Sequence, residues 1–444
     1  MISATPIGGG GRPRRTWART VALGAAAALT LSACGSGDSG GAGGDGGENG
    51  DDGQITLRFA WWGSDTRHQA TEEIIAAYEE QNPDVDIQPE PGDWSGYWDK
   101  LATQVAASDA PDIIQMDEKY IREYADRGAL LDLQDVDVSD ISEDTVATGE
   151  TPEGRFGIAT GINAIVIMAN PQIFEAAGVE MPDDQSWTWQ DYGDIAAEID
   201  QNSEFYGATT PNEPSGLEVW LRQQGKDLIN ESGELAFESA DLEQYFQLQL
   251  DLLKQGALPQ PSILSEDQNT GPDQSLTGTG QVAMGHWWTN QIASLSETSG
   301  ADLVPLRMPQ TEGTDTGHGL YYKSSMFMSG NANTEHPDVV QDFIDFMINS
   351  EEAGMINLAD RGLPASQTVR DAVVPELGEA DQRAAEFLQD IEDELGDAKP
   401  IPPLGYSAIQ EILMRYEMEV FFERQTPAEA AEAAYAEIES AIAG

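Results

Sequence analysis

Between residues 55 and 116 the hydrophobic pattern switches repeatedly between a period of two and a period near 3.6. That alternation restricts the fold more than any other feature of the chain. Ile55, Leu57 and Phe59 alternate with Thr56 and Arg58, which predicts a strand. Ser64 and Asp65 can cap a helix that carries Ala70, Ile74 and Tyr78 on one face and stops at Asn82-Pro83. Val85-Asp86-Ile87 reads as a short strand, Tyr97, Leu101 and Val105 mark a second helix, and Ala110-Pro111 turns into the apolar strand Asp112 to Met116. A βαβαβ order of this kind calls for an open, mainly parallel sheet covered by helices. Ligands of such sheets bind beyond the carboxyl ends of the strands. Those ends are Ala60-Trp61-Trp62-Gly63 and Gln115-Met116-Asp117.

A second block repeats the mixture. Phe156 to Ala159, Ala164 to Met168 and Gln281 to Met284 are strand-like, and so is Tyr321 to Met328. Pro171 to Ala177 is a helix closed by Gly178, and Trp187-Thr188-Trp189 leads into another from Asp191 to Ile199. Residues 240–255 are strongly amphipathic, and the chain beyond Pro337 is mostly helical. No fixed period of 20–50 residues is present, which argues against solenoids and propellers. The fold class expected is α/β.

The N-terminus reads differently. Arg12, Arg14, Arg15 and Arg19 precede an apolar run from Val21 to Leu31, and no acid occurs in residues 1–20. A basic region followed by an apolar stretch too short to span a bilayer describes a secretory signal, here residues 1–33. The run ends Leu31-Ser32-Ala33-Cys34-Gly35, which is similar to a bacterial lipobox, and Cys34 is the single cysteine of the chain. Lipidation at Cys34 would leave residues 34–53, nearly all Gly, Ser, Asp, Glu and Asn, as a flexible tether. The location expected is the extracytoplasmic face of the cell membrane, with lipid as the anchor. One cysteine also excludes an intrachain disulfide or a cysteine-based metal site.

Charge narrows the partners. The chain has 79 acidic and 22 basic residues, for a net charge of −57. Nucleic acid is an implausible partner, because phosphate binding needs Lys and Arg clusters. Spread along the chain, the acidity reads as a solvated surface suited to a salty or alkaline setting. The four histidines (His68, His286, His318 and His336) have no ligand spacing, so no metal site or cofactor is expected. A G-x-S-x-G elbow, a P-loop and a dinucleotide-binding glycine fingerprint are absent. Ten tryptophans and twelve tyrosines remain as candidate chemistry. A pyranose stacks its C–H face on such rings, and neighbouring polar groups hold its hydroxyls. Each Trp could equally be core. For Trp61-Trp62, strand neighbours point to opposite faces, so one can pack while the other faces a cleft.

Five segments carry a family resemblance: Phe59 to Gly63, Thr71 to Val85, Ala110 to Gln115, Ala169 to Gly178 with Trp187-Thr188-Trp189, and Ala283 to Trp287. In this order they resemble family 1 of the bacterial ABC-transporter extracellular solute-binding proteins, the carbohydrate-binding relatives of maltose-binding protein. One departure is Met168-Ala169-Asn170-Pro171, where many relatives have Tyr-Asn-Lys. The resemblance implies two lobes of mostly parallel sheet (a type II periplasmic-binding-protein-like fold), crossed by the chain more than once and closing on ligand by a hinge. It places lobe one at 54–161 plus 301–350 and lobe two at 162–300 plus 351–444. It implies ligand contacts at Trp61, Trp62, Ser64, Asp65, Gln115, Asp117, Thr160, Asn163, Trp287 and Trp288, with Trp94, Trp220, Tyr321, Tyr322 and Arg361 near the cleft. The function implied is a monomeric, non-enzymatic sugar receptor that delivers its carbohydrate to a membrane ABC permease. The alternatives are a surface-anchored glycosidase, whose paired carboxylates 79 acids could supply, and the same fold binding a polyol, glycerophosphodiester or osmolyte.

Overall fold

A computed structural model describes residues 54–211, 213–230, 232–314, 316–395 and 401–443. The expected signal peptide, Cys34 and the tether lie outside these residues. Among the described residues no helix is long and apolar enough to cross a membrane.

The first sheet has five strands in the order Val85–Gly92, Ile55–Trp62, Ile113–Met116, Phe327–Gly330 and Ile158–Ala159. Its first three strands are parallel and follow the βαβαβ pattern. The two strands from later in the chain join antiparallel. Val85–Gly92 contains Pro89 and Pro91 and lies at the sheet edge, where a missing N–H costs no ladder bond. Helix Asp65–Gln81 starts at Ser64, whose Oγ accepts from the Arg67 amide at 3.3 Å. It buries Ile74, Ile75 and Tyr78 against the sheet.

The second sheet runs Val304–Leu306, Ile165–Ala169, Val282–Trp288 and Tyr206–Ala208. It is mixed rather than mostly parallel. Only Val282–Trp288 and Tyr206–Ala208 are parallel, and Ile165–Ala169 runs antiparallel to both of its neighbours. That strand arrives directly from the first lobe, without the helical crossover that forces a parallel neighbour. Pro171–Ala177 starts at the Asn170 cap and ends at Gly178 with φ 70°. Trp189–Asn202 begins in a capping box between Thr188 and Asp191.

Each sheet has its own hydrophobic core. The chain passes between the cores at three places, and a small three-stranded sheet ties these together. In it Gly161–Asn163 is flanked by Lys323–Ser324 and Leu363–Pro364, both antiparallel. A Cβ on Gly161 would lie 2.6 Å from the carbonyl oxygens of Arg361 and Leu363, so the close approach of these strands needs glycine. Two sequence expectations are corrected here. Tyr321 to Met328 is not one strand, because the chain leaves one lobe at Lys323–Ser324 and enters the other at Phe327–Gly330. Residues 301–322 belong with the second core: Leu303, Leu306, Met308, Leu320 and Tyr321 pack there, and Val304–Leu306 is an edge strand of its sheet. Ala353 packs in the first core, so that lobe extends past residue 350.

Candidate functional site

The first parallel strand ends in two tryptophans with opposite fates. Trp61 shares a face with Phe59, their ring centroids 4.9 Å apart, and is 0% exposed. Its Nε1–H donates to His68 Nδ1 at 3.0 Å. Trp61 is therefore a core residue and not a cleft residue. Trp62 points the other way, into a wall of rings on helix Trp94–Ala106. It lies 5.1 Å from Trp94, 5.2 Å from Tyr97 and 5.4 Å from Trp98. Trp94 and Trp98 are four residues apart and so share a helix face. Trp98 stacks on Tyr120 at 3.7 Å. Trp94 remains 40% exposed, and the buried Trp98 Nε1–H has no hydrogen-bond partner among the described residues.

This wall stands where the lobes meet, and two lysines mark the meeting. Lys119 belongs to helix Glu118–Asp126 of the first lobe. Its ammonium lies 5.6 Å from the Trp94 ring centre, donates to Gln410 Oε1 at 3.2 Å and stands 3.6 Å from Glu213. Gln410 and Glu213 come from the second lobe. Lys323, on the crossing strand, sits 3.5 Å from Asp117, 3.7 Å from Glu118 and 5.2 Å from the Trp288 ring centre. Trp288 Nε1–H in turn donates to Glu213 at 3.0 Å. Burial works against charge at both ends of the Lys323–Asp117 pair. Even so, Lys323 and Lys119 hold the Asp117 carboxyl below its usual range, and Asp117, Glu118 and Glu213 push the Lys323 ammonium up. The site thus offers aromatic faces, three carboxylates and two ammonium groups along one lobe boundary. Among the described residues no cluster of His, Cys, Asp and Glu could hold a metal ion.

The structure therefore brings Trp62, Trp94, Asp117 and Trp288 into one neighbourhood. Trp287 is half-buried beside it, its Nε1–H donating to Thr277 Oγ1 at 2.9 Å. Tyr321 is buried under the Arg222 guanidinium, 5.4 Å from its ring centre. Ser64 caps its helix and Asp65 is exposed in the first turn, both at the surface.

Other expected contacts have structural roles instead. Gln115 is fully buried, donating to the Trp62 carbonyl and accepting from Arg361 Nε at 3.0 Å. Arg361 is fully buried too, its remaining bonds going to Asn357 and Thr71. Thr160 Oγ1 stays within the crossing strands, bonding Met326 and Arg361 carbonyls. Asn163 donates to Asn290 at 3.0 Å there. Trp220 packs on Tyr245 in the second core, and Tyr322 directs its hydroxyl to the Leu388 carbonyl. Gln115, Thr160, Asn163 and Arg361 bond within or beside the crossing segments, and Trp220, on helix Pro214–Gln223, packs in the second core.

Sequence reasoning did not single out Lys119, Lys323, Glu213, Tyr120 or Gln410 for the site. The scarcity of basic residues was the available signal, since a buried lysine in so acidic a chain needs a reason. A cavity of about 230 Å³ in the first lobe, lined by residues such as Glu90, Tyr97, Lys100 and Gln104, receives nothing from the second lobe and is not this site.

Residues 62–354 match the sequence profile described as bacterial extracellular solute-binding protein. The chain belongs to that family. Two curated relatives and one solved structure illustrate the likeness. An uncharacterized lipoprotein in the oleD 5′ region of Streptomyces antibioticus is 27% identical over 155 residues, 33% of this chain and 34% of that protein. The chain thus spans about a third of that relative's length. The putative ABC transporter periplasmic-binding protein YcjN of Escherichia coli K12 is 21% identical over 310 residues, covering 66% of this chain and 67% of YcjN. A periplasmic oligogalacturonide-binding protein from Yersinia enterocolitica, solved with saturated digalacturonic acid, superposes with a TM-score of 0.78 at 20% identity over 88% of this chain and 100% of that one. At that identity the superposition establishes the fold. The chain is a two-lobed α/β solute-binding protein of this family.

Proposed function

We propose that this solute-binding protein is the extracytoplasmic saccharide receptor of an ABC importer. It holds a sugar between its lobes and passes it, unaltered, to membrane permease subunits. The observation that carries this reading is the aromatic wall of Trp62, Trp94, Trp98 and Tyr120 at the lobe boundary, linked through Lys119 and Glu213 to Trp288 of the second lobe. Flat rings with ordered polar neighbours suit the alternating C–H faces and hydroxyls of a pyranose. The orphan Trp98 Nε1–H supplies a donor for a ligand hydroxyl. Asp117, Glu213, Trp287 and Tyr321 complete the proposed contact set. The three crossing strands act as the hinge, with lobe one at 54–159 plus 326–356 and lobe two built from 162–322 and most of the chain beyond 358. Ligand favours the closed form only to the extent that it binds that form better. The protein works as a monomer.

Thermal unfolding of residues 54–444 against a panel of mono- and oligosaccharides tests the reading, with each sugar analysed by chromatography afterwards. A ligand specific for the native state stabilises by about 2.7 kcal/mol at a hundredfold excess over Kd. A shift with the sugar recovered intact is the expected result. Cleavage products would transfer the protein to the glycosidases, and no shift with any sugar would remove the saccharide reading.

Anchoring is tested separately. Cys34 in its lipobox-like setting is the proposed acylation site, so metabolic labelling with a fatty-acid analogue in a bacterial host is expected to mark the wild type and leave Cys34→Ser unlabelled and released from the membrane. Equal labelling of both forms would refute it.

A further inference from the structure

The charges at the lobe boundary are nearly matched, and this bears on what the cleft accepts. Three acids, Asp117, Glu118 and Glu213, surround two ammonium groups. Lys119 and Lys323 are 8% and 6% exposed, and each lies against carboxylates supplied by another part of the fold. Of the arginines nearby, Arg222 lies over Tyr321 and stands 3.8 Å from Asp227, and Arg67, which donates to the Trp62 carbonyl, is paired with Asp360 at 2.5 Å. Arg361, behind Trp62, is 0% exposed with its guanidinium bonded to Gln115, Asn357 and Thr71. Among the described residues, the cations at the boundary are each paired with a carboxylate or held in hydrogen bonds. The chain as a whole carries a net charge of −57, so its long-range field also repels anions.

We propose, resting on the saccharide reading above, that the ligand is an uncharged saccharide, and that Asp117, Glu118 and Glu213 set this preference by occupying Lys119 and Lys323. An acidic sugar brought into the cleft must either displace a carboxylate from its lysine or be desolvated without a counter-charge, and both are unfavourable. A neutral sugar asks only for hydrogen bonds, and charged donors and acceptors make strong ones. Specificity arises here from a penalty against the wrong ligand as well as from contacts to the right one.

Titration calorimetry with residues 54–444 tests this with two probes of similar size, a panel of neutral di- and trisaccharides and digalacturonate. At least one neutral sugar is expected to bind at least tenfold more tightly than digalacturonate. Residual digalacturonate binding should strengthen as salt is raised from 20 to 500 mM, because screening relieves repulsion, whereas neutral-sugar binding should hold steady. Glu213→Gln keeps an acceptor for Trp288 Nε1–H but removes the charge facing Lys119, so the affinity ratio should move at least fivefold toward digalacturonate. Asp117→Asn, which strips a charge from Lys323, should move the ratio the same way and serves if Glu213→Gln fails to fold. Digalacturonate preferred by the wild type, or binding that weakens with salt, would overturn the inference and leave the receptor reading standing. Unmoved ratios in both folded variants would overturn the role given to the carboxylates. Binding of no saccharide at all would remove both readings.

Discussion

Trp61→Ala is expected to destabilise the protein by about 3–5 kcal/mol, the usual loss when a large buried aromatic is truncated in a core that cannot collapse around the gap. Trp61 is 0% exposed, packs on Phe59 and bonds His68, so the substitution also leaves a half-buried imidazole without its donor. Urea unfolding of residues 54–444 measures it. A loss below about 1 kcal/mol would mean the ring is not part of the first core. Trp94→Ala should do the reverse. Its ring is 40% exposed, so stability should fall by no more than about 1 kcal/mol. Sugar affinity should fall at least tenfold, about 1.4 kcal/mol of binding free energy. If Trp94→Ala binds the identified sugar like the wild type, the aromatic wall is not the ligand platform.

The second large effect is a pH dependence centred on Glu417. This side chain is 5% exposed inside the second lobe, on the same face of helix Ile409–Phe421 as Gln410, Leu413 and Met414. It accepts from Gln268 Nε2 at 2.8 Å, and Tyr245 lines the same small pocket. Burial pushes its pKa up to about 8, against the weaker opposing pull of its bonds to Gln268 and Thr210. The folded protein therefore holds a proton that the unfolded chain releases near pH 4.3. The stability this contributes is complete below that pH and is lost as pH rises through about 8. Glu417→Gln keeps the shape without the proton. The stability difference between wild type and variant should therefore move against the wild type across roughly pH 5–8, by a few kcal/mol at about 1.4 kcal/mol per unit, and level off above. Parallel stability profiles from pH 5 to 9 would show that Glu417 ionises normally.

Local elements were legible because local rules govern them. The Ser64 cap and the Asn82-Pro83 stop bound the helix Asp65–Gln81, and Pro171–Ala177 ends at Gly178 in the left-handed region. The parallel core of the first sheet followed from the βαβαβ pattern, since each crossover helix leaves its strands few ways to pair. The parity of a strand foretold that Trp61 and Trp62 would part company, though not which of them would join the aromatic wall of Trp94 and Trp98. The antiparallel pairing of Phe327–Gly330 was not legible, because its partner Ile113–Met116 lies more than 200 residues earlier and pairing at that separation leaves no periodic trace.

The sequence by itself determined the class of the fold, the ends of helices such as Asp65–Gln81 and Pro171–Ala177, the supply of aromatic rings and the strongly acidic character of the chain, because propensity, periodicity and net charge act over a few residues or over the chain as a sum. Tertiary structure alone decided the site. Lys119 faces Glu213 and Gln410, and Lys323 faces Asp117, only because three crossing strands bring the lobes together. The same crossing engages Arg361, Gln115 and Thr160 in hydrogen bonds within the protein. Whether a polar side chain binds a ligand or another part of its own protein depends on what is packed against it, and that is set by contacts between residues far apart in the chain.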